Sequence, residues 1–98
     1  MYSNNEYNGK MKYNVIIKKR AGKNLDKMPR KERIKFNLLV DALEESGPVR
    51  SEWMNYGKLS ATQYHCHLSY HWVACWRHEA ETIEIEVYYV GSRENAPY

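Results

Sequence analysis

The stretch from Tyr64 to Trp76, Tyr-His-Cys-His-Leu-Ser-Tyr-His-Trp-Val-Ala-Cys-Trp, holds three of the four histidines, both cysteines and two of the three tryptophans. Aromatic and β-branched residues favour strands, and Ser69-Tyr70 separates two runs that alternate apolar with polar side chains. The stretch therefore reads as two antiparallel strands around a tight turn. With Ser69-Tyr70 as a two-residue turn, Leu68 faces His71, His67 faces Trp72, Cys66 faces Val73, His65 faces Ala74 and Tyr64 faces Cys75. Strand side chains alternate with period two, which puts Tyr64, Cys66, Leu68, Val73 and Cys75 on one, mostly apolar side and His65, His67 and Trp72 on the other. The first side reads as core and the second as a site. An odd-length turn would undo this sorting, because a one-residue slip sends every side chain of a strand to the opposite face.

The rest of the chain has to cover the apolar side. Its 98 residues make one small domain, 1–98, with a single core and no linker. Residues 1–10 are polar and are expected to be a loose terminus. No apolar run approaches a membrane span, and the N-terminus lacks the basic-then-apolar order of a signal peptide, so a cytoplasmic protein without a membrane partner is expected. Two cysteines inside strand patterns read as small buried hydrophobes, and no C-x-x-C pair offers a structural zinc site. A net charge of +3 permits a phosphate-bearing partner without demanding one. Nine tyrosines and three tryptophans suit a surface that stacks on bases or packs on a partner.

Tyr13, Val15 and Ile17 alternate with polar residues as a first strand. A short helix is expected over Ala21 to Met28, stopped by Pro29, and a longer one from Arg30 to Ser46 with Ile34, Leu38, Leu39, Ala42 and Leu43 inward and Gly47-Pro48 as its stop. Residues 49–60 read as a loop into the hairpin. After a turn at Glu79-Ala80-Glu81, the run from Thr82 to Val90 alternates Ile83, Ile85, Val87 and Tyr89 with Glu84, Glu86 and Tyr88, a last strand. The fold class is α+β with element order β-α-α-β-β-β: two N-terminal helices on one face of a small, mainly antiparallel sheet whose other face stays open. On that open face Glu84, Glu86 and Tyr88 would join His65, His67 and Trp72.

Three motifs in this order resemble the RelE/ParE superfamily of bacterial toxin–antitoxin toxins. They are Val87-Tyr88-Tyr89-Val90-Gly91-Ser92-Arg93-Glu94 followed by Tyr98, then Tyr70-His71-Trp72-Val73, then Gly57-Lys58-Leu59. The resemblance runs from the Tyr13-Asn14-Val15 strand nearly to the end of the chain. It implies a RelE-like fold and a metal-independent, cofactor-free endoribonuclease acting on mRNA, with the ribosome and a cognate antitoxin as partners and DNA met only through the antitoxin complex. It also implies Lys58, His65, His67, Arg93 and Tyr98 as counterparts of the basic residues and tyrosine that such nucleases carry. The departures are histidines at 65, 67 and 71, where Lys or Arg is common, and Tyr98 one residue closer to its arginine. Gyrase-poisoning members share the fold and form the alternative, since a fold by itself does not choose an activity.

RNA cleavage without a metal needs a base for the 2′-hydroxyl, charge stabilisation at the phosphate and an acid for the 5′-oxygen. Histidine suits the proton transfers because its ordinary pKa lies near neutrality. Arg93 would clamp the phosphate, and Tyr98 would stack or donate a proton. Trp72, Tyr88, Lys18 and Lys19 are candidate RNA contacts, the rings by stacking and the lysines by charge. Against this stand ordinary readings: histidines tolerated on a half-exposed strand, aromatics covered by the Trp53-Tyr56 loop, and a solvated basic run. His71 points coreward or into the turn, and His78 reads as solvated. His65-x-His67 with Glu84 or Glu86 would also make a metal set, a weak pattern that the resemblance argues against.

Overall fold

The computed structural model describes residues 12–98, so the expectation for residues 1–10 lies outside it. The elements are β1 (Asn14–Ile17), α1 (Lys19–Leu25), α2 (Arg30–Ser46), β2 (Gly57–Lys58), β3 (Gln63–His67), β4 (Trp72–His78) and β5 (Glu84–Ser92), closed by a single 3-10 turn at Arg93–Asn95. Pro29 stands at the start of α2 with its φ already set at −58°, and its carbonyl accepts the Arg33 N–H. Gly47 ends the helix at φ 93°, where a side chain is strained; a Cβ would also lie 2.9 Å from the Tyr13 ring. Phe36, Leu39 and Leu43 recur at helical spacing and are buried, each contributing about 1.5–3 kcal/mol. Phe36 fixes which face turns inward. Ile34 and Leu38, expected inside, lie about half a turn round the helix from it and are 50% and 55% exposed.

The five strands run in the order β1-β5-β4-β3-β2. The helical crossover returns β1 parallel to β5, and every other pairing is antiparallel. The hairpin forms where the sequence places it, in a different register. Leu68 N–H donates to the Trp72 carbonyl at 2.8 Å, so Ser69, Tyr70 and His71 together make the turn. His67 faces Val73, Cys66 faces Ala74, His65 faces Cys75 and Tyr64 faces Trp76. Relative to the expected pairing β4 has slipped by one residue, and all its side chains exchange faces. Trp72, Ala74 and Trp76 face the helices, whereas Val73 and Cys75 join His65 and His67. Burial of Trp76 is the physical reason: its ring lies parallel to Tyr64 with centroids 6.1 Å apart, and its indole N–H donates to the Pro48 carbonyl at 3.0 Å. A two-residue turn would have put this large ring on the open face.

Two further differences shape the site. Cys75 pairs with Tyr89 but Trp76 pairs with Val87, so Tyr88 is the extra residue of a β-bulge. Ile85, Val87 and Val90 reach the core, Tyr88 lies over Cys75 and Arg77, and the strict alternation expected of this strand is broken. Ile83 precedes the strand and is 64% exposed instead of buried. In the segment read as a loop, Gly57 and Lys58 pair with His65 and Tyr64 as an edge strand. Trp53 and Tyr56 pack against the core as lids on its rim, Tyr56 stacking on Tyr64. Among the described residues, no helix is long and apolar enough to cross a membrane.

Candidate active site

His65 and His67 lie on the sheet face turned away from the helices, with ring centroids 6.5 Å apart. Two residues of spacing on β3 put them there, and two neighbours shape the surroundings. Gly57 is the Cα partner of His65 on the edge strand, and a Cβ at Gly57 would sit 3.1 Å from His65 Nε2. The glycine thus makes room for the imidazole. From the other side, the segment after β5 carries the Tyr98 ring to 4.6 Å from that of His65. That segment is pinned where Arg93 N–H donates to the His71 carbonyl at 2.7 Å, tying the 3-10 turn to the hairpin tip.

Beneath these rings the face is closed. Cys75, partner of His65 across the hairpin, is fully buried, and burial pushes its thiol up to about 12. Tyr88 neighbours it, and burial raises that phenol to about 12 as well. Cys66 is buried on the opposite face, so both cysteines are free, neutral and packed as small hydrophobes. Burial lowers the pKa of His65 from its ordinary value, and the neighbouring His67 lowers it further. Burial raises the Tyr98 phenol, as does Cys75, while Arg93 opposes the shift. Near neutral pH the pair is therefore a neutral imidazole beside a protonated phenol. Nδ1 of His65 and Nδ1 of His67 are both buried without a protein hydrogen-bond partner.

The remaining candidates are placed as follows. Arg93 is exposed, its guanidinium carbon 4.6 Å from the centre of the Tyr70 ring at the hairpin tip instead of over the histidines. Lys58 is the Cα partner of Tyr64, and its Nζ lies 5.3 Å from that ring on the helix-covered side, away from His65. Its expected place on the open face is therefore incorrect, because Gly57 takes that position. Trp72 also moves off the open face with the register of β4 and packs against the core. Tyr88 keeps its expected side, with the Arg77 guanidinium 5.2 Å from its ring centre. Lys18 stands 4.0 Å from the half-buried Glu86, a long pair open to solvent that contributes little, and Lys19 is exposed at the start of α1. Glu86 also pairs with Arg77 at 3.9 Å, so it serves these cations and not the histidines. Among the described residues, no three His, Cys, Asp or Glu side chains gather as a metal set. His71 is exposed at the turn, and His78 is half-buried with Nε2–H donating to the Thr82 carbonyl at 2.8 Å, a structural tie and not a solvated ring. Sequence reasoning missed Gly57 and Cys75 as site neighbours; pairing β3 with an edge strand through Gly57-Lys58 would have found the first.

No protein-family model matches the sequence, and no curated protein is significantly similar to it. Its backbone does match solved structures. RelE in the archaeal RelE–RelB complex of Pyrococcus horikoshii superposes with a TM-score of 0.70 at 20% identity, covering 88% of this chain and 100% of that one. The chain has the RelE fold. The free RelE toxin of E. coli matches at a TM-score of 0.68 and 20% identity over 88% of each chain. The DinJ–YafQ toxin–antitoxin complex of E. coli matches at 0.69 and 10% identity, over 90% of this chain and 100% of that one.

The cradle at Gly57 gives a first test. Gly57→Ala is expected to push the His65 ring aside, with a melting temperature close to that of the parent, because the strand is short and at the sheet edge. Unchanged NMR signals of the His65 ring in this variant would mean that the glycine does not make room for the imidazole.

Proposed function

We propose that this chain is the toxin of a toxin–antitoxin pair, an endoribonuclease that cuts mRNA on the ribosome without a metal and is neutralised by a cognate antitoxin. The observation that carries the reading is the Tyr98 ring resting 4.6 Å from His65 on an otherwise open sheet face. Two groups with opposite proton affinities meet there, a base with a lowered pKa and an acid with a raised one. The RelE fold, found in solved structures described as complexes of RelE with RelB and of YafQ with DinJ, supports the antitoxin as partner.

In this reading neutral His65 takes the proton of a ribose 2′-hydroxyl, assisted by His67 on the same face. The 2′-oxygen forms a bond to phosphorus, the bond from phosphorus to the 5′-oxygen breaks, and Tyr98 delivers a proton to the departing oxygen. Arg93 swings from its rest on Tyr70 to meet the phosphate, a guanidinium serving charge while the rings serve protons. Lys18 and Lys19 steer the polyanion. The groups gathered at the face are two imidazoles and a phenol, a set suited to acid–base chemistry, with the Arg93 guanidinium nearby on the hairpin tip.

Arg93→Ala should slow single-turnover cleavage by about a hundredfold, and Arg93→Lys should recover part of the loss. A parental rate in Arg93→Ala would reduce the residue to a partner of Tyr70. The reading as a whole is tested by primer extension on cellular mRNA after induction. Discrete new 5′ ends are expected within coding regions; their absence, with double-strand breaks appearing in DNA, would replace the nuclease with a gyrase poison.

A further inference from the structure

The second helix carries a charge pattern that it does not favour on its own account. Arg30, Lys31, Arg33 and Lys35 crowd its first half against the single Glu32, and its last turn holds no cation. The positive end of a helix dipole is the N-terminus, so cations placed there oppose it. Among these charges stand Ile34 and Leu38, one turn apart and 50% and 55% exposed. Lys31 and Lys35 each lie within one turn of Ile34.

The same surface leads into a hollow of about 220 Å³, lined by Lys35 and Leu38 of α2, by Glu52, Trp53 and Met54 of the following loop, and by His67 at the end of β3. It is smaller than the about 300–1,000 Å³ of small-molecule sites, which suits an inserted side chain better than a free ligand. Met54 is 47% exposed, so apolar surface runs from Ile34 through Leu38 to the far side of the hollow. The acid on the rim, Glu52, is held by Arg50 at 2.8 Å. His67 is the wall shared with the candidate active site: it is 7% exposed, its Nδ1 has no protein hydrogen-bond partner, and its ring lies 6.5 Å from that of His65.

We propose that this face of α2 seats an acidic amphipathic helix of the antitoxin, with one apolar side chain filling the hollow beside Trp53 and His67. The identity of the partner rests on the toxin reading; the chemistry of the seat does not. An exposed apolar patch rimmed by charge is the mark of a protein contact. A second copy of this chain would bring the same cations, and like charges set against one another repel. An RNA strand would satisfy the cations but leave Ile34, Leu38 and Met54 in water. A helix with apolar residues at i, i+4 and i+7 and glutamates beside them meets both requirements, laying its apolar row along Ile34, Leu38 and the hollow and its carboxylates against Lys31 and Lys35. None of His65, Arg93 and Tyr98 lines the hollow. The seat therefore meets the candidate active site through His67.

The seat is tested with two peptides of about 18 residues, five turns of helix, sharing one leucine row and carrying either glutamates or lysines beside it. Each is titrated into the full chain while methyl NMR signals of Ile34 and Leu38 and ring signals of His67 are followed. Saturable shifts at all three residues are expected with the glutamate peptide, at an affinity at least about tenfold above that of the lysine peptide. Ile34→Ser combined with Leu38→Ser should weaken that binding by about tenfold or more and leave the melting temperature and RNA cleavage unchanged. Lys31→Glu combined with Lys35→Glu should turn the preference toward the lysine peptide. Equal affinity for the two peptides, no saturable shift at millimolar peptide, shifts that bypass Leu38 and His67, or a dimer of the chain that the serine variant dissolves would each overturn the seat. The partner is tested separately, by co-expressing the full chain with the protein of the adjacent reading frame. A complex weakened about tenfold by the serine variant is expected. A complex that the variant holds as tightly as the parent overturns the antitoxin as occupant and leaves the toxin reading, whereas no complex with the parent, alongside intact peptide binding, overturns the toxin reading and leaves the seat.

Discussion

His65→Ala is expected to slow RNA cleavage by about 10²–10⁴-fold, the range for removing a positioned general base, while the protein stays folded. The imidazole is only half-buried and its Nδ1 has no protein hydrogen bond to lose. The parental rate should rise with pH to a plateau whose midpoint lies below 6.5, because burial and His67 both lower the pKa of His65. The plateau should hold through neutrality and end only above 10, where Tyr98, raised from its ordinary value, gives up its proton. In His65→Ala the acid limb should disappear along with most of the rate. The same shift bears on stability: the folded state binds this proton less readily than the unfolded chain. The stability it contributes is therefore present above pH 6.5 and lost as pH falls through the lowered value, and the His65 variant should lose less over that window. An unchanged pH–rate profile in His65→Ala would remove the residue from the chemistry.

Ile85→Asp is expected to unfold the domain. Ile85 is 0% exposed, flanked by its Cα partners Val15 in β1 and His78 in β4. Burying that charge without a partner costs at least several kcal/mol, against a total stability of about 5–15 kcal/mol for a domain of this size. Ile83→Asp, two residues earlier on the same alternating run, should fold normally, since Ile83 is 64% exposed. Circular dichroism and solubility decide the matter. A folded Ile85→Asp, or an unfolded Ile83→Asp, would contradict the register of β5.

These two isoleucines mark what could be read from the sequence. Alternation gives the period of a strand but not where the strand starts, so Ile83 and Ile85 look alike until the pairing with His78 is known. The second helix was legible to the residue because Pro29 and Gly47-Pro48 are chemical stops. Its inward face was less so, since Phe36 alone decides between two apolar stripes. The hairpin was legible as strands but not as register: Ser69-Tyr70-His71 has no Asn-Gly or Asp-Gly signature to fix the turn length. The histidines nonetheless fell on the correct face, because the slip moved β4 and not β3. Trp72 and Lys58 did not, the one through that slip and the other through an edge strand of two residues. Nothing local places Tyr98 on His65. That depends on the closing segment crossing back to the hairpin tip, a contact of long sequence separation.

The most direct test of the central claim is the chemistry of the RNA ends left by the purified protein. Attack by the 2′-oxygen predicts a 2′,3′-cyclic phosphate, or the 3′-phosphate to which it opens, on the upstream fragment and a 5′-hydroxyl on the downstream one, with both products lost in His65→Ala. A 3′-hydroxyl paired with a 5′-phosphate would mean that water, not the ribose, attacks phosphorus, and would contradict the roles assigned to His65 and Tyr98.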